Sequence, residues 1–327
     1  MNETKWSVLF IVTACGLGCS SASDSASSRD SPIELKTSTA SALHDGTPSR
    51  PLRVMLIPAD GGTDAGTRAD FEPVFAAITR EYDLHFEIRV GQAYNAVVEG
   101  MVNAKIDVAF FGPVTFHQAK QRGAAELLAV GVSKGQSIYY AGIFTNRSSG
   151  FQNISDLAGR SVAFGDVNSA SSFMVQVAML IDAGVDPVRD LKNIYLTGSH
   201  ANALAALAAG KVDAACASFS SFEKSVENGQ LNPAKTIALA KSEPIPYPPL
   251  AMHVDLDSKV KLRLRKAISH VHQADGVTPD MIRGYGGKKI ERYDTDYAES
   301  EFDRAMSKLS KVSDALKAEM LRKAAEK

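Results

Sequence analysis

The stretch Gly165-Asp166-Val167-Asn168-Ser169-Ala170-Ser171-Ser172-Phe173 places three serines and an asparagine within five positions. It follows a short apolar strand pattern and precedes a helix with apolar periodicity over 173–184. A helix start leaves backbone N–H groups without intrahelical partners, and the helix dipole favours a negative group there. Hydroxyls beside those N–H groups make a seat for an oxyanion that uses no formal cation. The same residues also read as an ordinary N-cap at Ser169 or Ser171, worth about 1 kcal/mol.

Two further strand ends carry similar chemistry. Phe110-Phe111-Gly112-Pro113-Val114-Thr115-Phe116 closes a strand with a Gly-Pro turn, at the end of a strand where open α/β sheets bind ligands. Thr115 then starts a helix with its hydroxyl aimed at a cleft, or the segment is a plain strand–helix turn. Gly198-Ser199-His200-Ala201-Asn202 starts another helix and leaves His200 in its first turn, either as a ligand contact or as a satisfied buried histidine. No Ser-His-Asp order accompanies His200. An enzyme using His200 with Asp213 is therefore an alternative reading, and Asp213, inside an apolar strand, reads as structural. No Gly-Lys-Ser/Thr follows a phosphate-type loop, and Gly61-Gly62-Thr63-Asp64-Ala65-Gly66 lacks dinucleotide spacing and reads as a flexible loop near a cleft. No cofactor and no metal is expected.

The elements that must hold these turns alternate. Strands are predicted at 52–57, 85–90, 106–111, 127–132, 139–145, 161–164, 193–196, 212–217 and 237–240. Helices are predicted near 70–80, 94–104, 114–122, 171–184, 200–209, 219–227, 259–273 and 296–325. Such alternation predicts an α/β fold of mostly parallel sheets flanked by helices, divided into two lobes. Asn103-Ala-Lys-Ile-Asp-Val-Ala109 and Ala209-Gly-Lys-Val-Asp-Ala-Ala215 repeat a helix end, a lysine, an aspartate and a strand. They are either one supersecondary unit used twice or two instances of common turn chemistry.

The 327 residues are 45% hydrophobic with a formal net charge of −1, which argues against a nucleic-acid partner. An anion must then be held by a local site. At the N-terminus, Lys5 precedes the apolar run Trp6–Ala14, too short to span a bilayer and shaped as a secretory signal. Val12-Thr13-Ala14-Cys15 and Gly16-Leu17-Gly18-Cys19 both place a cysteine after small residues, as lipidated signals do. Cys19 is the preferred anchor and Cys15 the alternative, with an ordinary cleaved signal as a third reading. Signal 1–18 leads into a tether at 19–51, where ten serines fall between 20 and 50 without apolar period. Cys216, in an apolar strand pattern, reads as a buried and inert thiol.

With these segments in order, the chain resembles the phosphate, phosphite and phosphonate substrate-binding proteins of ABC transporters. The resemblance is carried by Tyr94 ahead of Ala-Val-Val-Glu-Gly100, Ile106-Asp-Val-Ala-Phe-Phe-Gly-Pro113 and Asp156-Leu-Ala-Gly-Arg-Ser-Val-Ala-Phe164. It continues through Asn168-Ser-Ala-Ser171, Gly198-Ser-His200, Gly210-Lys-Val-Asp-Ala214 and Ile245-Pro246. It implies a type II periplasmic-binding fold with two crossover segments and a cleft that closes on ligand. Lobe 1 is then 52–144 with 246–327, including the C-terminal helices, and lobe 2 is 145–245. It further implies that Asn168, Ser169, Ala170 and Ser171 wrap phosphorus oxygens, that Tyr94 donates from the facing lobe, and that His200 contacts the ligand. The expected partners are a small phosphorus oxyanion, an ABC permease and, through the lipid anchor, the membrane, for a monomeric protein in the periplasm or at the cell surface. A sensor-type binding module, or a binding protein for another small anion, is the alternative. Three positions depart from the family pattern: Ala170 stands for a common Thr, Phe116 for a Tyr, and Ser218 for an Asp that pairs with an amine. The candidate set is thus Tyr94, Gly112, Pro113, Thr115, Asn168, Ser169, Ala170, Ser171, His200 and Ser218, with a smaller or non-amine ligand expected.

Overall fold

Leu52–Leu56 forms strand β1, and its side chains are buried on both faces, as expected of a strand covered by helices on either side. The computed structural model describes residues 43–57 and 64–326. The signal, Cys15, Cys19, most of the tether and the Gly61-Gly62 loop lie outside the described residues. Helix α1 (Asp64–Tyr82) buries Phe71, Val74, Phe75 and Ile78 against the first sheet, and β2 (Phe86–Val90), α2 (Tyr94–Val102) and β3 (Val108–Phe110) follow. β1 pairs in parallel with β2 (Val54 opposite Ile88) and with β3 (Val54 opposite Val108). α3 (Pro113–Gln121) and β4 (Ala125–Val132) complete the first pass.

The chain then crosses to a second sheet through β5 (Ile138–Tyr139) and enters β6 (Ala141–Asn146). There β7 (Ser161–Phe164), α4 (Val175–Asp182), β8 (Asn193–Leu196), α5 (His200–Ala208), β9 (Ala214–Ser218), α6 (Phe219–Glu227) and β10 (Thr236–Lys241) alternate. It returns through β11 (Ile245–Pro246), which pairs antiparallel with β5, into β12 (Pro249–His253) of the first sheet. α7 (Ser258–His270), β13 (Arg292–Asp294), α8 (Ser300–Ser307) and α9 (Asp314–Ala325) close the chain.

The strand orders are β13-β4-β12-β3-β1-β2 and β10-β6-β9-β7-β8. Both sheets are mixed where alternation predicted mostly parallel ones. β12 runs antiparallel to β3 and β4, and β6 runs antiparallel to β9 and β10, because these strands carry the chain directly out of each crossing. Two differences appear at the ends. Residues 43–51, assigned to the tether by composition, pack on the fold: Leu43 is buried, and the His44 backbone N–H donates to Asp107 at 3.0 Å. The single helix predicted over 296–325 is two helices, because Leu309 and Val312 turn into the second core and Ser313 caps α9 by accepting from the Leu316 N–H. Phe302 of α8 packs on Phe116, whereas Met320 of α9 joins the core of the second sheet, so the C-terminal helices are divided between the sheets.

The repeated Lys-x-Asp segment is one unit used twice. After α2 and after α5 the chain turns at Ala104 and Gly210 in the left-handed region (φ 51° and 67°). Lys105 and Lys211 then donate back to the carbonyls of Gly100 and Ala206. The Asp107 N–H donates to the Arg53 carbonyl while its carboxylate accepts from the Arg53 N–H; Asp213 does the same with Ser161. Each aspartate thus pins the starting ends of two neighbouring parallel strands.

Candidate functional site

Because β7, β8 and β9 are parallel, the turns that follow them emerge on one edge of the second sheet. The first turn depends on Gly165. A Cβ there would lie 2.2 Å from Ser172 Oγ, so any side chain would displace the loop it caps. Asp166 shapes the next residues: its carboxylate accepts from the Asn168 N–H at 2.7 Å and its carbonyl from the Ser169 N–H at 2.9 Å. Burial pushes the Asp166 pKa up, against hydrogen bonds from Asn168 and from the backbone N–H of Tyr94, the first residue of α2.

Ser169 is the N-cap, its Oγ accepting from the Ser172 N–H at 3.1 Å. The helix does not begin as a regular α-helix. Ala170–Met174 form a π-turn, in which the Met174 N–H donates to the Ser169 carbonyl, before α4 continues. Such turns widen the helix locally and recur at functional sites. Gln176, fully buried, holds this turn to the sheet: its Nε2 donates to the carbonyls of Ser171 (2.6 Å) and Gly142 (3.1 Å). The capping reading therefore applies to Ser169. Ser171 is instead turned into a small cavity, where its hydroxyl is bonded to Tyr139.

That cavity is lined by Tyr139, Ser171, His200, Ser218, Ser220, Tyr247, Pro248, Tyr285 and Lys288. His200, buried at the start of α5, accepts at Nδ1 from the Ser218 N–H at 2.9 Å. A backbone N–H can only donate, so Nδ1 is unprotonated and the imidazole carries its proton on Nε2. Nε2 lies 3.5 Å from Ser169 Oγ. Ser218 ends β9 and caps α6, accepting from the Ser221 N–H at 3.1 Å; its Oγ is also 2.7 Å from Ser221 Oγ. Lys288 Nζ donates to Ser221 Oγ at 3.1 Å, and Lys224 of α6 donates to the Gly286 carbonyl at the same distance.

Of the predicted residues, Ser171, His200 and Ser218 come together on the cavity wall. Ser169 and Ala170 are buried in the turn behind it, and Asn168 bonds to Asp166. Tyr94 stands beside the wall, its ring 6.5 Å from that of Tyr285 in an edge-on contact. Gly112, Pro113 and Thr115 do not line the cavity. Gly112 lets the Tyr94 ring approach, Pro113 occupies the first turn of α3, and the Thr115 hydroxyl donates to the Gly112 carbonyl at 3.0 Å. Phe116 packs between Phe111 and Phe302 in the first core, so its departure from the family pattern bears on packing.

Sequence reasoning missed Tyr139, Ser220, Tyr247, Pro248, Tyr285 and Lys288. Lys288 adds a formally charged residue to the cavity wall, which the turn chemistry of 168–171 did not include. Its signal was the pair Gly286-Gly287 before two lysines, a turn able to present one of them inward. The enzyme reading fails on geometry: Asp213 immediately precedes β9 and His200 bonds to the strand's last residue, about 16 Å away along the strand. Cys216 is buried, which raises its thiol pKa well above the ordinary value and leaves it unreactive.

A family profile described as ABC transporter, phosphonate, periplasmic substrate-binding protein matches residues 63–297. The phosphate-import protein PhnD of Mycolicibacterium smegmatis is 28% identical over 208 residues, which are 59% of this chain and 63% of that protein. The phosphonates-binding periplasmic protein of Escherichia coli is 25% identical over 173 residues, 51% of each chain. The chain thus spans less than two thirds of the length of either relative. In fold it is similar to PhnD1 of Prochlorococcus marinus, solved with methylphosphonate, at a TM-score of 0.68 and 16% identity over 80% of this chain and 97% of that one.

Proposed function

The chain belongs to the periplasmic substrate-binding protein family of phosphonate ABC transporters, and from that premise we propose that it captures a phosphonate, phosphite or phosphate-like oxyanion for import. The observation that supports this reading most directly is the convergence of the Ser171 hydroxyl, His200 and the Ser218 hydroxyl on one cavity. Members of such a family bind and release; they do not turn substrate over. Capture is an exchange of water for fixed donors, and an anion gives up its hydration only where those donors are already placed.

Two lobes, 52–144 with 246–327 and 145–245, would close on the ligand about the β5–β11 crossing and present a closed shape to the permease. The protein would reach its transporter as a lipoprotein in the periplasm or at the cell surface, anchored through Cys19 or, failing that, Cys15. The tether would let the binding unit move near the membrane. The test is a thermal-shift series with phosphate, phosphite, methylphosphonate and aminoethylphosphonate at millimolar concentration. A ligand of the site stabilises as RT ln(1 + [L]/Kd), so at least one should raise the melting temperature. If none does, the oxyanion assignment is withdrawn.

A further inference from the structure

We infer that Gln176 is the positioning residue of the oxyanion seat: its buried amide sets where Ser171 stands, and with it how tightly the site holds its ligand. This rests on the oxyanion reading and deepens it by a residue that acts through Ser171. Three carbonyls meet at one atom of the amide. Gln176 Nε2 donates to Ser171 at 2.6 Å and to Gly142 at 3.1 Å, and the Ala217 carbonyl lies at 3.3 Å. A carbonyl can only accept, so the amide turns its NH2 group toward all three. Gly142 and Ala217 stand opposite each other in the register of β6 and β9. β6 follows Tyr139 of the crossing and β9 ends on Ser218, and both of those residues line the cavity. One side chain thus ties the turn that carries Ser171 to the two strands that deliver its neighbours on the wall.

Packing alone does not explain an amide at this position. Gln176 is fully buried, and its Oε1 finds no hydrogen-bond partner among the described residues. A buried acceptor without a donor destabilises a fold. Its neighbours Phe173, Val177 and Leu180 are buried and apolar, as an ordinary core position would be. What the amide provides is at Nε2. The π-turn sets the Val175 N–H on the Ala170 carbonyl, and the next residue, Gln176, folds its side chain back to Ser171. Ser171 is then gripped twice, by Gln176 at its carbonyl and by Tyr139 at its hydroxyl. A binding group works only when neighbours hold it to within about 0.5 Å of the productive geometry, and these two contacts supply that support.

Calorimetry on the full chain tests this as a cycle of native protein, Gln176→Met, Ser171→Ala and the double variant. Each is titrated with whichever of phosphate, phosphite, methylphosphonate and aminoethylphosphonate binds the native protein most tightly. Gln176→Met keeps the length of the side chain, removes the donor and should weaken binding about tenfold. In the Ser171→Ala background the same substitution should change affinity by about twofold or less, because the hydroxyl it positions is already gone. A residue that only braces the fold would weaken both backgrounds alike. That outcome, or an unchanged Kd in Gln176→Met, would overturn the assignment while leaving the oxyanion reading standing. Should Gln176→Met not fold, Gln176→Asn, with the same amide one methylene short of its carbonyls, carries the cycle. Unfolding of both would make Gln176 a residue of the fold and end the proposal. An unchanged Kd in Ser171→Ala, or no binding of any of the four anions by the native protein, would remove the oxyanion reading of this cavity and the inference with it.

Discussion

The Ser218 backbone N–H and His200 Nδ1, 2.9 Å apart, orient the imidazole and fix its tautomer in one contact. The end of a strand thereby decides what the first turn of a helix offers: Nε2 as a donor. The two residues are 18 positions apart in the chain, and they meet because β8 and β9 both run out to the same edge of the sheet.

Replacing His200 with Ala should remove one donor and leave the Ser218 N–H without its acceptor. Affinity for the oxyanion is expected to fall by about 1–3 kcal/mol, some five- to 150-fold. Isothermal titration measures this; an unchanged Kd would show that Nε2 does not face the ligand.

Two serines two residues apart should behave differently. Ser171→Ala is expected to cost about 1–3 kcal/mol of binding, with little loss of stability. Ser169→Ala removes a cap and should lower stability by about 1 kcal/mol. Melting temperatures and titrations of both variants, compared side by side, check the separation of roles.

Gly165→Ala should push the Ser169–Ser172 turn off its seat, since the new methyl meets Ser172 Oγ at 2.2 Å. We expect about 1–3 kcal/mol of destabilisation together with a loss of affinity. A variant with native melting temperature and native Kd would show that the turn can move without consequence.

Acid should act through Asp107. Burial raises its pKa, but Arg53 side-chain and backbone donors, the His44 N–H and the Arg53 charge together bring it below the ordinary value of 3.8. Arg53 Nε and Nη2 each donate at 2.8 Å. The folded pKa is thus depressed, so its stabilising contribution is complete above pH 3.8 and is lost as pH falls from there through the lower folded value. Asp107→Asn should cost about 3–5 kcal/mol at neutral pH by stranding Arg53, and should flatten the acid limb of a stability–pH curve.

The elements best read from sequence are those whose burial pattern is local. β7 and β8 fall on their predicted bounds, and α6 does as well, because apolar runs and turn residues mark them directly. β5, merged into the strand predicted over 139–145, and β11 and β13, absent from the prediction, were not read as separate strands. The first two have two residues each and exist by pairing with each other across 106 positions, a relation no local pattern carries. The site divides in the same way. Ser171, His200 and Ser218 sit at helix starts with visible turn chemistry, whereas Tyr139, Tyr247 and Lys288 reach the cavity through the crossings and a distant glycine turn.

Asp107 and Asp213 hold the starting ends of the parallel strands, and the turns that contribute Ser171, His200 and Ser218 to the cavity leave from the opposite ends. The strand starts and the cavity wall therefore answer to different residues. A substitution at Ser171, His200 or Ser218 alters the cavity wall without touching either aspartate pin, so the wall can vary while the strand starts stay fixed.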